Sequence, residues 1–282
     1  MNKWIAGARP KTLPAAIAPV AVATALAGEK FDPVLALLAL LVSLSLQVGV
    51  NYANDYSDGV KGTDDNRIGP MRLVASGAAT ARQVKIAAYI ALGIGAVFGL
   101  ILALQTSLWL VLIGALAIAA AWGYTGGKNP YGYFGFGELS VFVFFGLVAT
   151  MGTYFAQTGE LTLNSLLVAI PMGSLACALL AINNLRDRAA DELVGKRTLA
   201  VRLGDLSARR AFIALLLIAH ISILFLFKTW TLLTLTLLPM TYSLIKAIRS
   251  GAEGAQLIAL LGKTGQLQLR FALLLSLGLL LS

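Results

Sequence analysis

The chain has 282 residues, of which 58% are hydrophobic and 12% are charged. Soluble domains carry about 25% charged residues, so this composition excludes a soluble globular protein. The formal net charge is +9, which in a membrane protein reports topology more often than nucleic-acid binding, and no nucleic-acid partner is expected. The one cysteine, Cys177, lies inside an apolar run, so a disulfide framework is excluded as well.

Apolar runs of about 20 residues, the length that crosses a bilayer as a helix, recur along the whole chain. The sequence therefore predicts an all-α polytopic membrane protein with nine transmembrane helices. The predicted spans are residues 12–28, 33–57, 83–104, 107–123, 136–156, 162–185, 207–227, 229–246 and 266–281.

The distribution of basic residues indicates the orientation in the membrane. With nine spans, the loops alternate between the two sides, and of the 22 Lys and Arg residues only Lys30 and Lys228 lie on the side opposite the N-terminus. Lys and Arg concentrate on the cytoplasmic side of membrane proteins. The N-terminus and the two acidic clusters described below are therefore expected in the cytoplasm.

The two longest connections, 58–82 and 186–206, each follow the second span of a set of four. Long loops in a compact protein usually carry function. Spans one to four and five to eight form two weakly related halves, about 1–123 and 124–246, and internal symmetry of this kind is common in membrane proteins. We expect a single transmembrane domain, 1–282, made of these halves and a ninth helix.

The first acidic cluster closes the second predicted span and reads NYANDYSDGVKGTDD, residues 51–65. Its acids are Asp55, Asp58, Asp64 and Asp65. Charge at a membrane edge is costly, so an ionisable cluster there indicates a functional site. Asn51, Asn54 and Asp58 lie at i, i+3 and i+7, which places them on one face of a helix.

The second acidic cluster closes the sixth predicted span and reads NNLRDRAADELVGKR, residues 183–197. Asn184, Asp187 and Asp191 repeat the spacing of the first cluster. Amide and carboxylate oxygens suit Mg²⁺, which completes its coordination shell with substrate phosphates. The pattern therefore predicts one shared Mg²⁺ site and a phosphorylated substrate. The alternative is that these acids are ordinary loop charges, neutralised by neighbouring Lys and Arg residues.

Basic residues follow both clusters and suit a phosphorylated substrate, because ammonium and guanidinium groups bind phosphate. They are Lys61, Arg67 and Arg72 after the first cluster and Lys196 and Arg197 after the second. The alternative is that these residues are stop-transfer charges that fix the topology.

The loop between the fourth and fifth spans reads GYTGGKNPYGYFGFGELS, residues 123–140. Tyrosine hydroxyls hydrogen-bond phosphate, and aromatic faces stabilise a nearby cation. The candidates to cover the mouth of the site are Tyr124, Lys128, Tyr131 and Tyr133. The alternative for the tyrosines is an interfacial aromatic belt. Lys128 is favoured as functional because it is the only Lys or Arg in the loop.

The two acidic motifs and the span pattern resemble the UbiA superfamily of intramembrane prenyltransferases over nearly the whole chain. That family's first motif, N-x-x-x-D with a further Asp downstream, falls on Asn54, Asp58 and Asp64, and its second, D-x-x-x-D, falls on Asp187 and Asp191. The chain is most similar to the branch that prenylates 1,4-dihydroxy-2-naphthoate. The matching stretches are ARPKTLPAAIAPV at 8–20, NDYSDGVKGTD at 54–64, RIGPMRLVASG at 67–77, YTGGKNPYGYFGFGELSVFVFFG at 124–146 and NNLRDRAADELVGKRTLAVRLG at 183–204.

The resemblance implies a bundle of nine helices around a central cavity, in the bacterial cytoplasmic (inner) membrane. It implies transfer of a polyprenyl group from a polyprenyl diphosphate to 1,4-dihydroxy-2-naphthoate, with loss of CO₂, to give a demethylmenaquinol. Two Mg²⁺ ions would bridge the Asp motifs and the diphosphate, and the polyprenyl tail would lie in the apolar bundle, open to the lipid bilayer.

The site residues implied by the resemblance form overlapping groups. The expected metal ligands are Asn54, Asp58, Asp64, Asp187 and Asp191. The expected catalytic residues are Asp58, Asp187, Asp191 and Lys128. The residues expected to bind the diphosphate or its metal are Asn54, Lys61, Arg67, Arg72, Tyr124, Lys196 and Arg197. No residue stands out as a catalytic base.

Three other functions compete with this interpretation. One is an aromatic prenyltransferase with another acceptor, hydroxybenzoate or homogentisate, although the hydroxybenzoate branch would place an Asp at Gly62. Another is a transporter. Transporters bind substrate near the membrane midplane, whereas the charged groups of this chain gather at one membrane face, which argues against this function. The third is a CDP-alcohol phosphotransferase, whose D-G-x-x-A-R signature is missing, since VKGT follows Asp58 and Gly59.

Overall fold

The computed structural model of the chain describes residues 2–64 and 69–282. All regular structure in these ranges is helical, which confirms the predicted all-α class. The α-helices are α1 Lys3–Gly7, α2 Pro14–Leu26, α3 Pro33–Val60, α4 Ala81–Gln105, α5 Trp109–Gly123, α6 Gly137–Val141, α7 Ala149–Thr158, α8 Leu163–Leu193, α9 Leu199–Ile223, α10 Leu238–Arg249 and α11 Ala255–Leu280. Short 3₁₀-helices occupy Pro10–Thr12, Gly28–Lys30, Tyr131–Phe134, Leu224–Leu226 and Thr229–Leu237, and a π-helix occupies Phe142–Val148 between α6 and α7.

Helical segments occupy all nine stretches predicted as spans. By length and composition, six helical segments in the described residues are able to cross a membrane. They are Pro33–Val60, Ala81–Gln105, Gly137–Thr158, Leu163–Leu193, Leu199–Leu226 and Thr229–Arg249. The apolar helices α2 and α5 have 13 and 15 residues and are shorter than the usual span, whereas α11 carries Lys263 and Arg270. The integral membrane character is therefore supported, and the count of nine spans stays a prediction.

Polar caps fix where several long helices begin. The carboxylate of Asp32 accepts hydrogen bonds from the amides of Val34 and Leu35 at the start of α3, where Pro33 occupies the first helical position. Thr80 forms a reciprocal capping box with Gln83 at the start of α4. These caps satisfy amides that the helices leave unpaired, so each apolar run starts its helix at a defined residue.

Helix α8 is the central helix of the bundle. Its buried face packs against α9, α11 and α2, and the core includes the fully buried side chains of Leu175, Phe212 and Phe271. Helices α3 and α4 pack against each other along their length, as α8 and α9 do. The outward surface of α4 and α5 instead exposes large apolar side chains such as Ile90 and Leu112, a surface suited to lipid.

The π-helix is held against α8 by a glycine contact. A Cβ atom added to Gly146 would lie 2.6 Å from the Cα atom of Gly173, and one added to Gly173 would lie 2.8 Å from the Phe142 ring. Small residues allow this close approach of two helix backbones in membranes. The contact fixes the position of Phe144 and Phe145, which line the central cavity described below.

We predict that Gly146→Ala destabilises the protein, because the new methyl group has no room beside Gly173. Overpacking of this kind costs about 1–3 kcal/mol. The matched control is Gly93→Ala in α4, where nothing lies within 4 Å of the added Cβ atom, and where a helix gains about 0.4–1 kcal/mol from the same change. Thermal unfolding in detergent compares the two variants, and equal midpoints would contradict the proposed close contact.

Candidate active site

A cavity of about 670 Å³ runs through the bundle. Its lining along α3 extends from Ala39 to Asp58, which is about 28 Å at 1.5 Å per residue. The walls are mostly apolar, with residues such as Leu46, Ile113, Phe144 and Val148. The charged and amide side chains of the lining come from the C-terminal halves of α3 and α8, from the N-terminal segment and from the loops that follow these two helices: Arg9, Lys11, Gln47, Asn51, Asn54, Asp58, Arg72, Asn183, Asn184, Asp187 and Lys196. The cavity therefore joins a polar end to a long apolar chamber.

Asp55 faces away from this cavity and has a structural role. Its side chain is fully buried, and its two oxygens accept hydrogen bonds from the backbone amides of Leu73 (2.8 Å) and Val74 (3.0 Å). These bonds dock the segment after Arg72 onto α3. Asp55 therefore belongs to the acidic cluster in sequence but positions a loop in the structure.

Arg72 connects two of the predicted metal ligands. Its Nε atom lies 3.1 Å from Oδ2 of Asp64, and its Nη2 atom lies 3.9 Å from Oδ2 of Asp58. The three side chains are nearly buried, so the guanidinium compensates carboxylates that are poorly reached by water. The contact of Asp55 with Leu73 and Val74 places Arg72 for this role.

Lys196 brings the two acidic motifs together. Its Nζ atom lies 3.6 Å from Oδ2 of Asp58 and 3.5 Å from Oδ1 of Asp191. Burial lowers the pKa of Lys196, but the charges of Asp58 and Asp191 outweigh burial and raise the pKa above its usual value. Lys196 is therefore a cation at neutral pH, and the predicted convergence of the two motifs is present in the structure.

Asp187 and Asp191 lie one helical turn apart on α8 but have different environments. Asp187 lines the cavity and accepts two hydrogen bonds of 2.7 Å from the guanidinium of Arg186. Asp191 is buried, and its Oδ2 atom has no hydrogen-bond partner among the described residues. The second motif thus presents one carboxylate that is tightly paired and one that keeps accepting capacity.

Tyr133 is the residue of the loop after α5 that enters the acidic site. Its hydroxyl donates a 2.8 Å hydrogen bond to Oδ1 of Asp58, and its ring lies 4.7 Å from the Nζ atom of Lys61 and 5.2 Å from that of Lys196. Its carbonyl accepts from the amide of Arg197 (3.0 Å). Burial and the charge of Asp58 raise the pKa of Tyr133, so the hydroxyl stays protonated and can donate.

Thr125 attaches the same loop to the C-terminal end of α3 by hydrogen bonds. Its hydroxyl donates to the Oδ1 atom of Asn54 (2.8 Å), and its carbonyl accepts from the Nζ atom of Lys61 (2.8 Å). Two predicted site residues, Asn54 and Lys61, are therefore hydrogen-bonded to this loop. Thr125 could not be predicted from the sequence, because its role depends on the loop conformation.

The remaining predicted residues take separate positions. Tyr124 lines the cavity and packs edge-to-face on Tyr131, with ring centroids 5.6 Å apart. Lys128 is exposed and lies outside the cavity lining in the described part of the chain. The side chain of Arg197 is also exposed, and its backbone alone contacts Tyr133. Arg67, together with Asp65, lies outside the described residues.

The donor chemistry of the site fits Mg²⁺ shared with a phosphorylated ligand. Within residues 2–64 and 69–282, no group of three acidic, His or Cys side chains is arranged to hold a metal by itself. Mg²⁺ usually takes only one or two carboxylates and completes its shell with substrate phosphates and water. The buried Oδ2 atom of Asp191 and the nearby carboxylate of Asp58 are donors of the required kind. The residues thus suit a metal–phosphate complex, and not a cage made by protein alone.

Comparison with known proteins assigns the family. A family model described as the UbiA prenyltransferase family matches residues 16–255, and the chain therefore belongs to the UbiA prenyltransferase family. The chain is 48% identical, over 96% of its length and 94% of the relative, to a 1,4-dihydroxy-2-naphthoate octaprenyltransferase from Mycobacterium tuberculosis (strain ATCC 25618 / H37Rv). It is 44% identical to the protein of the same name from Escherichia coli (strain K12), over 81% of this chain and 77% of that one.

Solved structures share the fold at lower sequence identity. A UbiA homolog from Archaeoglobus fulgidus bound to GPP and Mg²⁺ superposes with a TM-score of 0.67 at 15% identity, covering 98% of this chain and 100% of that one. The apo structure of a UbiA homolog from Aeropyrum pernix K1 gives a TM-score of 0.65 at 18% identity, covering 96% and 97%. The helical arrangement described above is therefore the UbiA fold.

Asp55→Asn and Asp58→Asn are predicted to separate a structural carboxylate from a functional one. Asp55→Asn turns an acceptor into an amide donor that faces a backbone amide, and we expect a loss of about 1–3 kcal/mol of unfolding free energy. Asp58→Asn leaves Arg72 with Asp64 and Lys196 with Asp191, so its loss is expected to be smaller. Thermal unfolding of the two purified variants measures this difference. A larger loss in Asp58→Asn than in Asp55→Asn would refute the structural role of Asp55.

Proposed function

We propose that the protein transfers a polyprenyl group from a polyprenyl diphosphate to 1,4-dihydroxy-2-naphthoate, with release of diphosphate and CO₂, to give a demethylmenaquinol. The observation that carries the proposal is the convergence of both acidic motifs on Lys196 at the polar end of a long apolar cavity. The relatives named 1,4-dihydroxy-2-naphthoate octaprenyltransferase support the choice of acceptor.

The cavity suits the two parts of the donor. The polyprenyl chain lies in the apolar chamber, and the diphosphate lies at the polar end beside Arg72 and Lys196, whose positive charges offset its negative charge. When bound, Mg²⁺ held by the site carboxylates supplies further positive charge to the departing diphosphate. We assign Asp58, Asp64, Asp187 and Asp191 as its ligands, with Asn54 as an additional oxygen donor.

The reaction exchanges a C–O bond for a C–C bond. The allylic C–O bond of the donor breaks, the diphosphate leaves with the bonding electron pair, and the prenyl carbon becomes cation-like. The naphthoate ring carbon that bears the carboxylate attacks it, and loss of CO₂ returns an electron pair to the ring and restores aromaticity. The apolar walls, including Phe144 and Phe145, exclude water that would otherwise capture the cation. This sequence needs no catalytic base at the acceptor carbon.

The proposal includes the orientation and domain organisation expected from the sequence. The protein spans the bacterial cytoplasmic (inner) membrane, with the N-terminus and the acidic motifs on the cytoplasmic side. The chain forms one domain of two halves, about 1–123 and 124–246, plus a ninth helix. The similar packing of α3 on α4 and of α8 on α9 supports the halves, because each pair links the second and third helices of its half.

Single-cysteine labelling is expected to confirm this orientation. In a Cys177→Ala background, a membrane-impermeant maleimide added to intact spheroplasts should label Lys30→Cys but label Lys128→Cys only after lysis. Both positions are exposed, so access to the reagent depends on the side of the membrane. Labelling of Lys128→Cys in intact spheroplasts would refute the proposed orientation.

Turnover by purified protein tests the function directly. In detergent with 1,4-dihydroxy-2-naphthoate, a polyprenyl diphosphate and Mg²⁺, mass spectrometry should show a prenylated, decarboxylated naphthoquinol. Asp58→Ala and Asp187→Ala should each lower the rate on the order of 10²-fold or more, because each loses a carboxylate at the diphosphate end. Removal of divalent metal with EDTA should stop the reaction, and added Mg²⁺ should restore it.

Controls in the same assay separate the alternatives. Lys128→Ala should keep a rate within about twofold of the wild type, since its side chain is exposed, whereas Lys196→Ala should lose most of it. Prenylation of hydroxybenzoate or homogentisate in preference to the naphthoate would overturn the acceptor. Folded protein without turnover on any aromatic acceptor would overturn the enzyme assignment in favour of transport.

A further inference from the structure

The predicted metal-binding carboxylates are already paired with cations of the chain itself. Arg72 contacts Asp64 and Asp58, Lys196 contacts Asp58 and Asp191, and Arg186 contacts Asp187. A divalent cation that approaches these carboxylates must therefore compete with resident positive charge. The distances differ from pair to pair. Arg72 lies 3.1 Å from one carboxylate and Arg186 lies 2.7 Å from its carboxylate, whereas Lys196 comes no closer than 3.5 Å to either of its two.

Lys196 holds its carboxylates more loosely than Arg186 does. Its Nζ atom lies 3.6 Å from Asp58 and 3.5 Å from Asp191, beyond the about 2.7–2.9 Å of a charge-assisted hydrogen bond. Arg186 instead makes two contacts of 2.7 Å with Asp187. Lys196 thus compensates the charge of two nearly buried carboxylates without making a short hydrogen bond to either of them.

The side chain of Lys196 borders the cavity, whereas its backbone is hydrogen-bonded to the end of α8. Its amide donates a 2.8 Å hydrogen bond to the carbonyl of Asp191, just after the end of α8. The side chain lines the cavity and lies over the ring of Tyr133, which offers a cation a favourable surface in more than one position. Rotation about its four-carbon stem would carry Nζ towards the cavity without a change of fold.

We infer that Lys196 is an exchangeable counter-ion that makes binding of Mg²⁺ and of diphosphate cooperative. Without ligand, Lys196 neutralises Asp58 and Asp191. When diphosphate enters with Mg²⁺, the ammonium group moves to a phosphate oxygen and the two carboxylates become available to the metal. Either ligand alone binds weakly, because Mg²⁺ meets the charge of Lys196 and diphosphate meets the carboxylates. This inference rests on the proposed function, since it requires a diphosphate at this end of the cavity.

Thermodynamic linkage makes the inference measurable. If diphosphate raises the affinity for Mg²⁺ by some factor, Mg²⁺ raises the affinity for diphosphate by the same factor. Isothermal titration calorimetry of the full-length protein in detergent measures Mg²⁺ alone, inorganic diphosphate alone, and each in the presence of the other. For the wild type we expect a coupling factor of about tenfold or more, within the usual range of such factors.

Removal of the resident charge should change Mg²⁺ binding and coupling in opposite directions. Lys196→Met should bind Mg²⁺ alone about tenfold or more tightly than the wild type does, while the coupling factor falls below about threefold. Lys196→Arg keeps the charge and should retain the coupling. Lys263→Met removes an exposed lysine from α11 and should behave as the wild type. Lys196→Gln replaces Lys196→Met if thermal unfolding shows that the methionine variant does not fold.

The outcomes distinguish this inference from the proposed function. If the wild type binds Mg²⁺ and diphosphate together but Lys196→Met leaves the affinity for Mg²⁺ alone and the coupling unchanged, the counter-ion role is overturned and the proposed function stands. If the wild type binds no magnesium diphosphate at all, both are overturned. Tighter Mg²⁺ binding with lost coupling in Lys196→Met, and restored coupling in Lys196→Arg, supports the inference.

Discussion

The contact of Lys196 with Asp58 and Asp191 is the interaction on which the site depends. Two nearly buried carboxylates from distant parts of the chain repel each other unless a cation lies between them. The ammonium group compensates both, and Tyr133 adds a hydrogen bond to Asp58 and an aromatic surface beneath the cation. The ends of α3 and α8 are therefore held together by charge at the point where the cavity begins.

The long helices supply what this charged end needs from the rest of the fold. Helices α3 and α8 have 28 and 31 residues, more than the about 20 that cross the hydrocarbon core, so their polar last turns extend beyond it. The same helices contribute apolar residues to the chamber, and the contact between Gly146 and Gly173 holds the aromatic wall against α8. One pair of helices thus joins a charged site to an apolar chamber without an intervening domain.

Helical periodicity explains which parts of this site were predictable. Spacing along one helix places Asn54 and Asp58, or Asp187 and Asp191, on a common face whatever the rest of the fold does. Lys196 follows the end of α8 by only three residues, so its position near the second motif could also be predicted. That each apolar stretch forms a helix can be predicted in the same way. The number of membrane crossings cannot, because it depends on α2 and α5, which are short, and on α11, which carries charged residues.

Loop conformation explains what the sequence did not reveal. Among the tyrosines of the loop after α5, only the folded loop shows that Tyr133 reaches Asp58 while Tyr131 bonds to Ser140 and the carbonyl of Ala120. Lys128 was favoured because no other cation occupies that loop, yet it lies at an exposed turn. The spacing also cannot tell Asp55 from Asp58, because the partners of Asp55 are backbone amides of a later segment.

Charge compensation links the structure of the site to the chemistry proposed for it. Asp58, Asp64, Asp187 and Asp191 carry negative charge, and Lys61, Arg72, Arg186 and Lys196 carry positive charge in the same region. Because these cations compensate the carboxylates, a free cation or a free diphosphate would each add charge of one sign to a poorly solvated region. A complex of diphosphate with divalent cations adds much less net charge, and the resident lysine and arginine can then turn to the phosphates as the carboxylates turn to the metal. On the proposed function, this arrangement favours a diphosphate that arrives together with its divalent cations over either ion alone.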